Sequence, residues 1–171
     1  MSESLITVPA AGAAGHLVSS LLQTVLHRCL GHRPVARFFF RRHVFDHHHI
    51  YSTTHLVAKQ YSDDERSLTP YYLIPSVAVI LALACVLPAA PLIAFSAMML
   101  ASYAAHAYVH EHYHLERSWL DRWAWFSKRR QLHYIHHRDT RRNFAVIDFF
   151  WDRLFGTFES QSSSRPAGSQ Q

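Results

Sequence analysis

Residues 73–110 read LIPSVAVILALACVLPAAPLIAFSAMMLASYAAHAYVH, within a run from Ser67 to His110 of 44 residues that contains no Asp, Glu, Lys or Arg. As helix, at 1.5 Å per residue, such a run extends roughly 66 Å, about two crossings of a 30 Å hydrocarbon core. Pro88 and Pro91 lie near its middle, where their missing amides and fixed φ favour a break. The expectation is a transmembrane hairpin with spans at about Tyr72–Leu87 and Leu92–Val109. A buried helical pair in a soluble protein is the competing reading, and the lack of a polar face on either span speaks against it.

Upstream, Ser4–His27 is also free of charge, but Pro9, His16, Ser19, Ser20 and Gln23 lower its hydrophobicity. We expect a third segment, spanning or half-inserted. The acidic SES start does not fit a cleaved signal peptide. All seventeen Lys and Arg residues lie in 28–66 or 117–165 and none lies between the two strong spans. By the positive-inside rule both basic regions, and the C-terminus, face the cytoplasm. The expected fold is therefore all-α: an integral membrane, multi-pass helical bundle with a cytoplasmic histidine-rich helical cap. One domain covers residues 1–158, and the tail 159–171, ESQSSSRPAGSQQ, has the composition of a disordered segment.

The net charge of +5 is explained by this topology and by anionic membrane lipids. No nucleic-acid-binding motif accompanies it, so nucleic acid is not an expected partner. Cys29 and Cys85 form no CxxC pattern, which leaves no cysteine-based metal or redox motif.

The chain has fifteen histidines, and most stand in four short motifs: HRCLGH (27–32), HVFDHH (43–48), HAYVH (106–110) and HYIHH (133–137). Each motif lies at the cytoplasmic end of a span or in a cytoplasmic segment, so all can converge on one membrane-surface site. At about 100° per helical residue, His106 and His110 share a face, and His136 and His137 flank His133 within about 100° of arc. In the second motif His43 and His47 lie about 40° apart, while His48 falls at about 140°, reaching a metal only if the helix is distorted or ends there. His49 points about 120° the other way and, like His55, is expected to face solvent or headgroups. A second register competes in the third motif, because His110 and His114 are also four apart. Ten imidazoles are enough to surround two metal ions.

These four motifs, closed by NFAVIDFFWDRLFGTF (143–158), resemble the fatty acid hydroxylase and sterol desaturase superfamily of membrane di-iron oxygenases. The resemblance runs from about His27 to Phe158. It implies that His27, His32, His43, His47, His48, His106, His110, His133, His136 and His137 ligate two irons, with O₂ as co-substrate. Asn143 occupies a family Asn position, but Ala145 replaces the Gly that often follows, which puts the local turn in doubt. Asp152 of WDRLFGT is a candidate acceptor for the free N–H of a ligand imidazole. No other catalytic side chain is required.

The expected activity is hydroxylation of a C–H bond in a lipophilic substrate such as a fatty acyl chain or sterol. A separate electron donor is implied, ferredoxin-, rubredoxin- or cytochrome b5-like, because no reductase domain is fused. Desaturation and carotenoid hydroxylation are alternatives of the same chemistry. A non-catalytic membrane metal-binding protein is the alternative of a different class, although a transporter would place its polar ligands near mid-span.

Overall fold

In the computed structural model, which describes residues 2–160, the charge-free run forms two helices broken where the prolines require it. Helix α4 covers Thr69–Ala84 and α5 covers Ala89–Tyr113. Pro88, extended at ψ 157°, is the N-cap of α5, and Pro91 lies in its first turn. The first helix, α1, runs over Ser2–Leu26. Three short helices and one longer helix complete the chain: α2 (Arg37–Phe40), α3 (His48–Ile50), α6 (Ala124–Arg138) and α7 (Phe150–Leu154). No strand occurs among the described residues. One isolated parallel bridge, Ala58 to Leu115, clips the 51–64 loop to the end of α5. Residues 161–171 of the expected tail lie outside the described residues.

Both hairpin helices extend beyond or stop short of the expected limits. At 25 residues α5 is the one described helix long and apolar enough to cross a membrane. With 16 residues, α4 reaches about 24 Å, short of a 30 Å core. Long enough at 25 residues, α1 is too polar, since it buries Ser19, Ser20, Gln23 and Thr24. Several large apolar side chains on the hairpin are left uncovered: Ile74 is 69 % exposed, Leu81 63 % and Ile93 66 %. A core helix of a soluble protein would bury such residues, whereas hydrocarbon would cover them.

Helices α1 and α5 pack closely because Gly15 has no side chain. A Cβ there would collide with the Phe95 carbonyl, and small residues at such crossings let two backbones approach. Polar contacts fasten α1 to the C-terminal segment: Ser20 Oγ donates to Asp148 at 2.5 Å and Trp151 Nε1 donates to Ser20 at 3.1 Å. At the C-terminal end of α5, Val109 and Tyr113 form a small core with Leu120, Phe126 and Val146, and Ile147 packs against it. That core seats α6 beside α5. Tyr113 locks it by donating to the Val146 carbonyl at 2.8 Å.

Candidate metal centre

The helices do not keep α geometry where the first two histidine motifs occur. Past Leu26, α1 widens into a π-helical turn over His27–Gly31, and α2 widens into a second over Arg41–His47. A π turn closes its hydrogen bonds from i to i+5, so residues five apart return to the same side. His27 and His32 are five apart, and so are His43 and His48. The angle of about 140° expected for His48 on an α-helix is thereby removed. Gly31 makes room for the result: a Cβ there would stand 3.0 Å from the His43 ring and 3.1 Å from the His27 ring.

Ten imidazoles gather in two groups of five, with the ligand atoms of each group all within 4.8 Å of one another. The first group is His27, His32, His43, His48 and His136; the second is His47, His110, His114, His133 and His137. The π turns, with the residue that ends each, supply four members of the first group and, through His47, one of the second. The second is built mainly on ordinary α spacing, with His110 and His114 at the end of α5 and His133 and His137 on α6. The groups adjoin: the rings of His48 and His137, one from each, have centroids 4.3 Å apart.

Within each group the Nε2 atoms face one another. Separations are 2.8 Å for His27–His43, 3.0 Å for His32–His136 and 3.2 Å for His43–His48 in the first. In the second they are 3.1 Å for His110–His133, 3.0 Å for His114–His133 and 3.2 Å for His47–His137. On several of these rings the opposite nitrogen is anchored outward. His27 Nδ1 donates to the Phe144 carbonyl at 2.5 Å, His136 to Arg142 at 2.7 Å, His137 to Tyr51 at 2.7 Å and His114 to Leu56 at 2.8 Å. His47 Nδ1 donates to the Asp63 carboxylate at 2.7 Å.

A neutral imidazole has one N–H, and a carbonyl acceptor fixes it on Nδ1. Nε2 is then a lone pair. Burial, reinforced by neighbouring imidazoles, pushes His32, His47, His48, His133 and His136 well below the usual histidine range, so the neutral form is the resident one. Lone pairs converging at about 3 Å repel each other unless a cation lies among them. All-imidazole donor sets suit iron or zinc, and the arrangement fits one ion in each group.

Nine of the ten sequence-predicted histidines belong to these groups, and His106 does not. Lying four residues before His110, it sits on the order of 6 Å further down the helix axis. The structure groups His114 with His110: fully buried and clipped to Leu56, it completes the second group. His49 and His55 are exposed.

Asp152 also acts differently from expectation, because no imidazole touches it. Its carboxylate accepts from the amides of Phe144 at 2.8 Å and Ala145 at 2.9 Å and from the Thr157 hydroxyl at 2.7 Å. It thereby holds the turn whose Phe144 carbonyl receives His27. Asn143 pins the same turn: its amide bonds the Leu132 carbonyl at 3.0 Å and both backbone groups of Glu159 at 2.9 Å. The left-handed residue is Asn143 itself, with φ 52°, so the turn makes no demand for glycine at Ala145. Asp63 and Tyr51 were not legible as supports. Asp63 stands in the charged run SDDER, which has the look of a solvated loop, yet its side chain is 3 % exposed. Tyr51 stacks on His114 with centroids 4.1 Å apart.

Two openings reach the imidazoles. A cavity of about 340 Å³ between α1, α4 and α5 is lined by His27, His43 and His110, with Gln23, Tyr72, Tyr103 and His106 among the other walls. It touches both groups. A second, of about 270 Å³, is basic and is lined by Arg28, His32, Arg33, Thr140, Arg141 and Phe144.

A family model described as fatty acid hydroxylase matches residues 12–157, which include every member of both groups. No curated protein and no solved structure gives a significant match.

Proposed function

The chain belongs to the fatty acid hydroxylase family, and from that membership we propose that it is a membrane di-iron monooxygenase acting on a lipophilic substrate. The observation that supports this most is the pair of five-imidazole groups with their Nε2 lone pairs turned inward. The first group would hold one iron and the second the other. When bound, the irons supply O₂ activation, the step that no side chain can perform. The overall change is R–H + O₂ + 2 e⁻ + 2 H⁺ giving R–OH + H₂O.

The protein's own part is to bind, orient and shield. Outward Nδ1–H bonds fix the tautomer and direction of His27, His47, His114, His136 and His137 before metal arrives. The cavity between α1, α4 and α5 leads an apolar chain to His27, His43 and His110, and Leu68, Ala107 and Val146 on its wall exclude water. The uncovered apolar faces of α4 and α5 would let the substrate arrive from the bilayer. In this reading α4 and α1 also lie in the membrane, and the imidazole groups and the C-terminus are cytoplasmic. Electrons come from a separate donor protein, and the basic opening beside His32 favours an acidic one.

Purified protein should contain two irons per chain, and expressing membranes supplied with lipids under ¹⁸O₂ should yield hydroxyl groups bearing the label. One zinc per chain would sink the proposal. A product lacking two hydrogens and carrying no label would move the chain to desaturation.

A further inference from the structure

Three of the chain's four tryptophans fall within seven positions, in the segment SWLDRWAWFSKRR (118–130) that follows α5 and opens α6. Indole is a large, mostly apolar side chain that a domain surrounded by water keeps largely covered. Here Trp119, Trp123 and Trp125 are 54 %, 47 % and 40 % exposed, while Leu120 and Phe126 of the same segment take the core positions. Basic side chains accompany the rings. The Arg122 guanidinium lies over Trp119 and Trp123, 4.9 Å and 5.3 Å from their centroids, and that of Arg129 lies over Trp125 at 5.6 Å. Lys128 is exposed beside them. The one carboxylate of the segment, Asp121, is engaged by Arg130 at 2.6 Å and by the Ser118 amide at 2.9 Å, so the charge this face offers is positive.

The patch is continuous with an apolar strip on α5. Ile93, Ala97, Leu100, Ala104 and Tyr108 are exposed at steps of three or four residues along one side of that helix, and Trp119 Nε1 donates to the Tyr108 hydroxyl at 2.6 Å. From Ala89, where α5 begins, to Tyr108 the helix rises about 29 Å, the thickness of a hydrocarbon core. Tyr108 therefore stands at the edge of that core, and the indoles follow directly beyond it. Tyr and Trp collect at such an edge because the ring is apolar and its O–H or N–H needs a polar neighbour.

We propose that Trp119, Trp123 and Trp125, with Arg122, Lys128 and Arg129, form an interfacial belt that seats the cap among anionic lipid headgroups. The rings lie against the upper acyl chains and the basic groups reach the phosphates, an attraction to which each Lys or Arg near a negatively charged leaflet contributes. His110 is two residues beyond Tyr108, about 3 Å along the axis, so the belt sets the imidazole groups at headgroup depth. The inference stands apart from the oxygenase reading, since it needs neither iron nor turnover.

Tryptophan emission of the full chain in nanodiscs tests it, because bromine on a lipid chain quenches only the indoles it touches. The discs contain phosphatidylcholine and phosphatidylglycerol in equal amounts. Combining Trp119→Phe, Trp123→Phe and Trp125→Phe leaves Trp151 as the background, and Trp151→Phe leaves the belt alone, so either variant isolates the belt's emission. Bromines near the glycerol end should quench the belt more than bromines near the chain methyl, and aqueous iodide should quench it little. Moving the bromines from phosphatidylcholine to phosphatidylglycerol, at unchanged composition, should raise quenching about twofold as the anionic lipid gathers at the basic groups. Arg122→Gln combined with Lys128→Gln should abolish that rise and keep the depth order. Quenching by iodide alone would place the indoles in water, and quenching by neither reagent would place them under another protein. Stronger quenching by the deeper bromines, equal quenching by the two lipids in the wild type, or a rise that persists in the double variant would contradict the belt as drawn. Each of these five results overturns the proposal.

Discussion

Replacing Asp63 with Ala should weaken one metal ion and spare the other. The Asp63 carboxylate accepts the Nδ1–H of His47 at 2.7 Å, with side-chain exposures of 3 % and 0 %. No water can substitute readily at such burial, so truncation strands an imidazole N–H at a cost of about 1–3 kcal/mol. It also frees the ring to rotate its Nε2 away from the second group. Losing a partner that orients a metal-bound histidine typically lowers metal affinity about 10–100-fold, the same range expressed as binding. The assay is a competitive chelator titration that follows the two irons separately. In Asp63→Ala the second-group ion should leave 10–100-fold more easily while the first is unchanged, and Asp63→Asn, which keeps an acceptor oxygen, should fall in between. Asp64 is the control: its side chain is 61 % exposed and bridges Arg42, an arrangement of little energetic consequence. Equal losses of both ions, or an effect of Asp64→Ala as large as that of Asp63→Ala, would refute the assignment of Asp63 to His47.

His48→Ala should cost the first-group ion, whereas the exposed neighbour in His49→Ala should leave iron content at two; indistinguishable variants would mean that the π turn does not sort the histidine triplet. Elemental analysis of His114→Ala should approach one iron per chain. In His106→Ala both irons should stay and only the Michaelis constant should shift, and a lost iron would restore His106 as a ligand. Gly15→Ala should destabilise the α1–α5 crossing by about 1–3 kcal/mol through overpacking, seen as a lower thermal midpoint in detergent; an unchanged midpoint would show that the helices can separate without cost.

Much of the site was readable because imidazoles are rare and their spacing is discrete. The prolines placed the break between α4 and α5, and the four motifs contained nine of the ten grouped histidines. Membrane spanning was less legible. Charge-free sequence marks where water is avoided, but α4 measures only 16 residues, and the polarity of α1 belongs to contacts with Asp148 and Trp151 that no local pattern reveals. His106 and His114 flank His110 symmetrically, so helical spacing alone cannot choose between them. The choice depends on the Leu56 carbonyl and on Tyr51, which arrive from a loop more than fifty residues away. Asp152 and Asn143 act through backbone rather than through imidazole, and a motif names such residues without saying what they hold.

The two wide turns have one more implication, concerning how the centre comes to exist. An α-helix makes better hydrogen bonds than a π turn, so these segments hold an unfavourable winding that something else must stabilise. The first group depends on that winding for four of its five imidazoles; the second is assembled mainly on regular helix. An ion held by the first group would therefore also stabilise the winding of both segments. Under the proposed function the two ions would be unequal: one would sit mainly against regular helix, and the other against the two wide turns that bring its imidazoles together.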